Sequence, residues 1–222
     1  MKPVRHVEGR TAALRLENLD TDQIMPKQFL RGIDKRGLRD GLLHDLRFDA
    51  EGRERPGFVL NRPGYSDVSV LIGGNNFGCG SSREHAVWGL QQAGIRAIVA
   101  PGFGEIFYSN AMGNGLLLVT LPEVDVRRLM DEADRVPGNS VSIDVDALVL
   151  RSAGGVEARF EMLDRHRRML LEGLDAIGLS LTHRDRIEAF AKGHWAAQPW
   201  LKDVGRFSTT LTPALSRKRE RE

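Results

Sequence analysis

The sequence predicts an α/β fold with a βαβαβ core, antiparallel strands added after it, and helices at the C-terminal end. Three observations carry that prediction. Apolar runs at 68–72, 97–100 and 116–121 are each bounded by glycine or proline, as short buried strands are. Helical patterns at 81–93 and 105–112 lie between those runs. Residues 140–150 and 156–162 flank Gly154-Gly155, which reads as a hairpin.

In chain order, the first fifteen residues are polar, with one short strand-like run. Residues 18–31 are rich in turn formers and lead through Pro26. From 32 to 61 glycines and charges dominate, giving an excursion of loops and short helices with a candidate strand at 58–60. Val68-Ser69-Val70-Leu71-Ile72 is a β-branched apolar run and therefore a buried strand. A glycine-rich turn spans 73–80. Ser81 followed three residues later by Glu84 is a capping-box pattern, so the first helix should begin there, and Gly94 should end it. Pro101-Gly102 breaks the second strand, and Gly113 and Gly115 close the second helix. Alternation at this spacing predicts parallel strands joined by right-handed crossovers. A further helix runs from Pro122 to about Arg135, Pro137-Gly138 precede the hairpin, and 164–174 and 182–192 read as helices. The expected organisation is one domain over 1–200 and a disordered basic tail over 201–222.

A chain of 222 residues, 41% hydrophobic and 28% charged, can bury a sizeable core without staples. Its single cysteine, Cys79, excludes an internal disulfide and a cluster held by several thiolates of this chain. No run of about 18 apolar residues appears, so no membrane span is expected. Residues 1–10 lack the apolar centre of a secretory signal, and a cytoplasmic setting is expected. The formal net charge of +2 is local in origin. Residues 206–222 carry five Arg/Lys against two Glu, a net +3, which leaves residues 1–205 at −1. A nearly neutral body offers no basic footprint, so nucleic acid is not an expected partner.

The chemistry concentrates in Asn76-Phe77-Gly78-Cys79-Gly80-Ser81-Ser82-Arg83-Glu84-His85-Ala86. A strand end feeding a helix start directs backbone N–H groups and the helix dipole at an anion. Glycines permit close backbone approach, two hydroxyls sit at the mouth, and Arg83 can clamp a carboxylate with its planar fork. No Gly-Lys-Ser/Thr follows, so this is not a phosphate-binding P-loop. Arg83 occupies the third glycine position of a dinucleotide fingerprint, and also the glycine position of a hydrolase nucleophile elbow.

Gly80-Ser81-Ser82-Arg83-Glu84-His85-Ala86 resembles the signature of the swivelling β/β/α domain of the aconitase family. With residues 76–79 in front, it is similar to the small-subunit family of isopropylmalate dehydratases. Asn18-Leu19-Asp20-Thr21-Asp22-Gln23-Ile24, Pro26-Lys27-Gln28-Phe29-Leu30, Phe103-Gly104-Glu105-Ile106-Phe107-Tyr108 and Gly173-Leu174-Asp175-Ala176-Ile177-Gly178-Leu179 agree with that resemblance, in order. The resemblance implies a hydro-lyase that interconverts 2-isopropylmalate and 3-isopropylmalate through 2-isopropylmaleate in leucine biosynthesis. It implies a small dicarboxylic hydroxy-acid substrate and a separate large subunit that bears a [4Fe–4S] cluster as Lewis acid, with no cofactor on this chain. Carried over by motif position, Ser81 takes the carbon-bound proton, while Ser82 and Arg83 bind substrate carboxylate. Asp20, Thr21, Asp22 and Gly80 support the site, and Gln28, Phe29 and Leu30 bear on substrate choice.

Alternatives stay open on sequence alone. Sister hydro-lyases acting on homoaconitate, citramalate/citraconate or dimethylmalate would differ around residues 28–30. A non-catalytic anion-binding module would fit a chain that had lost Ser81 or Arg83, and both are present. Ser81 also reads as a plain helix cap, Arg83 as a surface ion-pair residue, and Asp20 and Asp22 as turn or cap groups. Glu84 and His85 read as orienting groups, and Cys79 as a packing residue in a tight turn.

Overall fold

The computed structural model describes residues 1–30, 37–135 and 139–203. The start of the glycine- and charge-rich excursion, Pro137-Gly138 and most of the basic tail lie outside the described residues. The chain divides into two compact units, Met1–Ala176 and Ile177–Glu222.

The first unit is built on one sheet. Its strands are β1 (His6–Leu14), β2 (Val68–Gly73), β3 (Ala97–Ala100), β4 (Leu117–Thr120), β5 (Ser140–Asp144), β6 (Val149–Ser152) and β7 (Glu157–Arg159), in the spatial order β4-β3-β2-β1-β5-β6-β7. β1 to β4 run parallel, with Leu14 opposite Gly73 and Ile72 opposite Val99. β5, β6 and β7 continue as an antiparallel meander from the other side of β1. β1 is thus a central strand, longer than the short run its sequence suggests. β3 is buried at every residue and β2 at all but Ser69, as parallel strands covered on both faces are.

The described helices of this unit are α1 (Thr21–Ile24), α2 (His44–Arg47), α3 (Glu84–Gln92), α4 (Glu105–Asn114), α5 (Glu123–Arg135) and α6 (Asp164–Glu172). The expected βαβαβ core is therefore present as β2-α3-β3-α4-β4. α5 lies against β1, and α3 against α4. Gly115, in the left-handed region at φ 77°, ends α4.

Three local expectations are corrected. Residues 58–60 are not a strand, because Val59–Asn61 form a 3-10 turn. The first arm of the expected hairpin is two strands. The turn between β5 and β6 has Leu148 at φ 55° and the Asp144 carboxylate accepting from the Ala147 N–H at 2.8 Å. That side-chain acceptor does locally what a glycine usually signals. Finally, α3 begins at Glu84 with Arg83 as its N-cap residue, and no side chain caps it. The capping box of this region sits instead on α1. There the Asp20 Oδ1 accepts from the Gln23 N–H at 2.7 Å, and the Gln23 Oε1 accepts from the Asp20 N–H at 3.1 Å.

The second unit holds α7 (Ala176–Leu181) from its second residue on, α8 (Arg184–Ala197) and a 3-10 turn at Pro199–Leu201. The single helix expected at 182–192 is longer at its C-terminal side and is preceded by α7.

Candidate active site

Parallel strands share one carboxyl edge, and ligand-binding loops gather there in open α/β sheets. In this chain the loops that follow β1, β2 and β3 are knitted together at that edge. The Leu19 carbonyl accepts from the Gly78 N–H at 2.7 Å, and the Cys79 carbonyl from the Thr21 N–H at 2.9 Å. The Gly102 carbonyl accepts from the Phe77 N–H at 3.0 Å, and the Phe77 carbonyl from the Gly104 N–H at 2.9 Å. Asn18 and Asn76, both at positive φ, join side chains at 2.8 Å. Two buried rings, Phe77 and Phe107, pin the middle loop from beneath with centroids 5.7 Å apart.

The middle loop carries the motif. Gly78 sits at φ 76°, and a Cβ there would overlap the Phe107 ring. Gly80 sits at φ 92°, where an L side chain is strained whatever the space. The chain then rises to Ser81 and Ser82, both exposed, and to the half-buried Arg83. Because α3 starts only at Glu84, the Ser81 hydroxyl is not used as a helix cap. It lies 3.1 Å from the Thr21 hydroxyl, and the Thr21 Oγ1 also donates to the Ser81 carbonyl at 3.0 Å.

Arg83 forms an ion pair with Asp22, and its Nη1 donates to the Met25 carbonyl at 3.3 Å. The guanidinium has five N–H donors, so these two partners leave others for a ligand. With α3 uncapped by any side chain, its first N–H groups add to the anion-favouring field at the same spot.

The structure thus brings Asp20, Thr21, Asp22, Gly80, Ser81 and Arg83 together, with Ser82 adjacent in the chain. Asp20 acts as the cap of α1 and forms an isolated parallel bridge with Cys79. Gln28, Phe29 and Leu30 lie on a different set of contacts. The Gln28 Nε2 donates to Asp45 Oδ1 at 3.1 Å, the Phe29 ring packs 4.9 Å from His44, and Leu30 packs against the core.

Sequence reasoning did not find two features. Glu84 accepts from the Asn114 Nδ2 at 2.6 Å, tying the start of α3 to the end of α4. Nothing local signals a partner thirty residues away. The direct contact between the Thr21 and Ser81 hydroxyls likewise depends on two loops meeting.

Among the described residues, no three His, Cys, Asp or Glu converge as metal ligands. Cys79, the chain's single cysteine, points its Sγ to the Asn18 carbonyl at 3.3 Å. A cluster held by several thiolates does not fit this chain's residues. His166 on α6 packs 5.4 Å from the Tyr108 ring, and burial, then Arg165, hold its imidazole below the ordinary histidine range. No helix of the described residues is long and apolar enough to cross a membrane.

The aconitase C-terminal domain family matches residues 1–124. The family of the C-terminal domain of 3-isopropylmalate dehydratase small subunits matches residues 177–204. The chain is 57% identical over 198 residues to 3-isopropylmalate dehydratase small subunit 1 of Chromobacterium violaceum, covering 89% of this chain and 93% of that protein. It is 47% identical over 202 residues to the 3-isopropylmalate dehydratase small subunit of Phenylobacterium zucineum, covering 91% and 99%. Among solved structures it is similar to the 3-isopropylmalate dehydratase of Methanocaldococcus jannaschii, with a TM-score of 0.57 and 26% identity over 83% of this chain and 98% of that one.

Proposed function

The chain belongs to the family of 3-isopropylmalate dehydratase small subunits, and from that membership we propose that Ser81 is the base of a hydro-lyase completed by a large subunit. The reaction is the interconversion of 2-isopropylmalate and 3-isopropylmalate through 2-isopropylmaleate, in the cytoplasm. The observation that carries this reading is the placement of the Ser81 hydroxyl, whose side-chain partner is the Thr21 hydroxyl at 3.1 Å. Ser81 is exposed, is not used as a helix cap, and sits on the carboxyl edge beside Arg83.

In dehydration the ionised Ser81 Oγ takes a proton from the substrate carbon next to the hydroxyl-bearing carbon. The C–H bond breaks and an O–H bond forms on Ser81. The freed electron pair becomes the second bond of the alkene as the C–O bond breaks and hydroxide leaves. Rehydration runs the same steps backward with hydroxide added to the other carbon, and Ser81 returns its proton. Arg83, steadied by Asp22 and the Met25 carbonyl, and Ser82 bind a substrate carboxylate. Asp20 and Gly80 hold the two loops in register, and residues 28–30 bear on the substrate side chain. A [4Fe–4S] cluster would supply a Lewis acid for the leaving hydroxyl, and it would belong to the large subunit because this chain's residues, with one cysteine, do not fit it.

A serine hydroxyl is essentially un-ionised in neutral water, so the base needs local stabilisation. The start of α3, the Arg83 guanidinium and a cleft closed by the partner supply it, since such dipoles act more strongly where water is excluded. The exposure of Ser81 and Ser82 in the isolated chain is what half of such a cleft should show.

The test is anaerobic co-purification with the large subunit and an ultraviolet assay for 2-isopropylmaleate formed from 3-isopropylmalate. Ser81→Ala should assemble normally and lose at least about 1,000-fold in kcat, the scale of removing a member of the catalytic machinery. Turnover near wild type would remove Ser81 from the mechanism, and turnover of other hydroxy acids only would reassign the substrate.

A further inference from the structure

We propose that the Thr21 hydroxyl is the hydrogen-bond donor that stabilises the ionised Ser81 Oγ, switching its proton from the Ser81 carbonyl to that oxygen. The inference rests on the reading of Ser81 as the base.

It follows from counting protons. A threonine hydroxyl has one proton and two lone pairs. The Thr21 Oγ1 lies 3.0 Å from the Ser81 carbonyl oxygen, which can only accept, so in the resting state the proton goes there. The second contact, 3.1 Å to Ser81 Oγ, must then be donated by Ser81. In that state the Ser81 proton points to Thr21, and its lone pairs are turned away from Thr21.

When Ser81 is ionised its Oγ has no proton to give. Rotation about the Thr21 Cβ–Oγ1 bond then brings the threonine proton onto the alkoxide across the same 3.1 Å, with no heavy atom moving. The carbonyl left behind is not orphaned, because it also accepts from the Arg83 N–H at 2.8 Å. The exchange therefore gives up two neutral hydrogen bonds, from Thr21 to the carbonyl and from Ser81 to Thr21, for one charge-assisted bond placed on the atom where the negative charge develops, where exclusion of water strengthens it most.

The site is preorganised for this. Thr21 is 1% exposed, and its N–H donates to the Cys79 carbonyl at 2.9 Å. The Asp20–Gln23 capping box fixes the turn on which it stands. A buried donor that needs no reorganisation is the kind of group that lowers the cost of developing charge. Thr21 acts through Ser81 and is a positioning residue with its proton on the reacting oxygen.

The experiment uses the small subunit assembled with its large subunit, comparing wild type with Thr21→Val, Thr21→Ala and Thr21→Ser. Assembly is checked by gel filtration and kinetics by the alkene assay across pH. Thr21→Val and Thr21→Ala should lose about 100-fold to 1,000-fold in kcat with KM little changed, the scale of losing one oxyanion donor. The ascending limb of their kcat/KM profile should move to higher pH, since the base ionises less readily. Thr21→Ser keeps the hydroxyl and should retain both rate and profile. If Val disturbs the packing, the Ala–Ser pair still isolates the hydroxyl.

A wild-type rate and an unshifted limb in Thr21→Ala would overturn the inference, as would a Thr21→Ser variant as impaired as Thr21→Ala. Failure of the underlying reading looks different: Ser81→Ala would then remain active whatever Thr21 does.

Discussion

The two halves of the sheet share β1, yet they differ in what their ends carry. On one side, β1, β2 and β3 run parallel and deliver three loops to one edge, where backbone bonds tie the loops together. On the other, short turns join β5 to β6 and β6 to β7, so those strand ends are used up by the turns. The parallel half collects Asp20, Thr21, Asp22, Ser81 and Arg83, which come from loops some 60 residues apart in sequence. The antiparallel half presents exposed ion pairs, such as Arg151 with Glu157. Topology therefore decides where distant side chains can meet before any one of them has a chemical role.

The comparison is broken most directly at Gly78. Alanine there must adopt φ 76° and overlap the Phe107 ring. Overpacking in a well-filled site costs about 1–3 kcal/mol, and the positive φ adds to it. Gly78→Ala should lower the urea midpoint accordingly and depress turnover, because the loop carrying Ser81 must move. An unchanged midpoint would show that the loop is not seated on the aromatic pair as described.

Much of the parallel half was legible in the sequence, and the reason is local. β2, β3 and β4 are short apolar runs bracketed by glycine or proline, so each strand announces its own ends. β1 mixes charge, glycine and alanine in His-Val-Glu-Gly-Arg-Thr-Ala-Ala-Leu, and its central place shows only once neighbours flank it. The β5–β6 turn was missed because an Asp144 side chain and a left-handed Leu148 take the part that glycine plays elsewhere. At the site, the motif residues were legible as a set, whereas the start of α3 was misread. Ser81 and Glu84 have the spacing of a capping box, but the Glu84 carboxylate goes to Asn114 on another helix. A pattern that two long-range contacts can satisfy in other ways does not fix local geometry.

A smaller effect sharpens the same comparison. Asp20 caps α1 with its side chain, and loss of such a cap costs about 1 kcal/mol. Asp20→Ala should lower stability by that amount and also lower kcat, because Thr21 stands on the capped turn. A stability loss with kcat untouched would mean that the turn holds its place through the backbone bonds to Cys79 and Gly78 alone.

The smallest effect is expected in the meander, and it is the control for the whole comparison. Arg151 and Glu157 lie opposite each other on β6 and β7, and Arg151 Nε donates to Glu157 Oε2 at 3.0 Å. Their side chains are 57% and 60% exposed, so water and salt screen the pair. Exposed pairs are worth about 0–1 kcal/mol, and cross-strand placement does not take this one out of solvent. Arg151→Ala should therefore lower the unfolding free energy measured in urea by no more than about 1 kcal/mol and leave kcat and KM of the assembled enzyme at wild-type values. A fall in kcat without loss of stability would mean that the antiparallel half reaches the reaction, either through the large subunit or through β1. The division between a chemical edge and a structural meander would then have to be drawn elsewhere in the sheet.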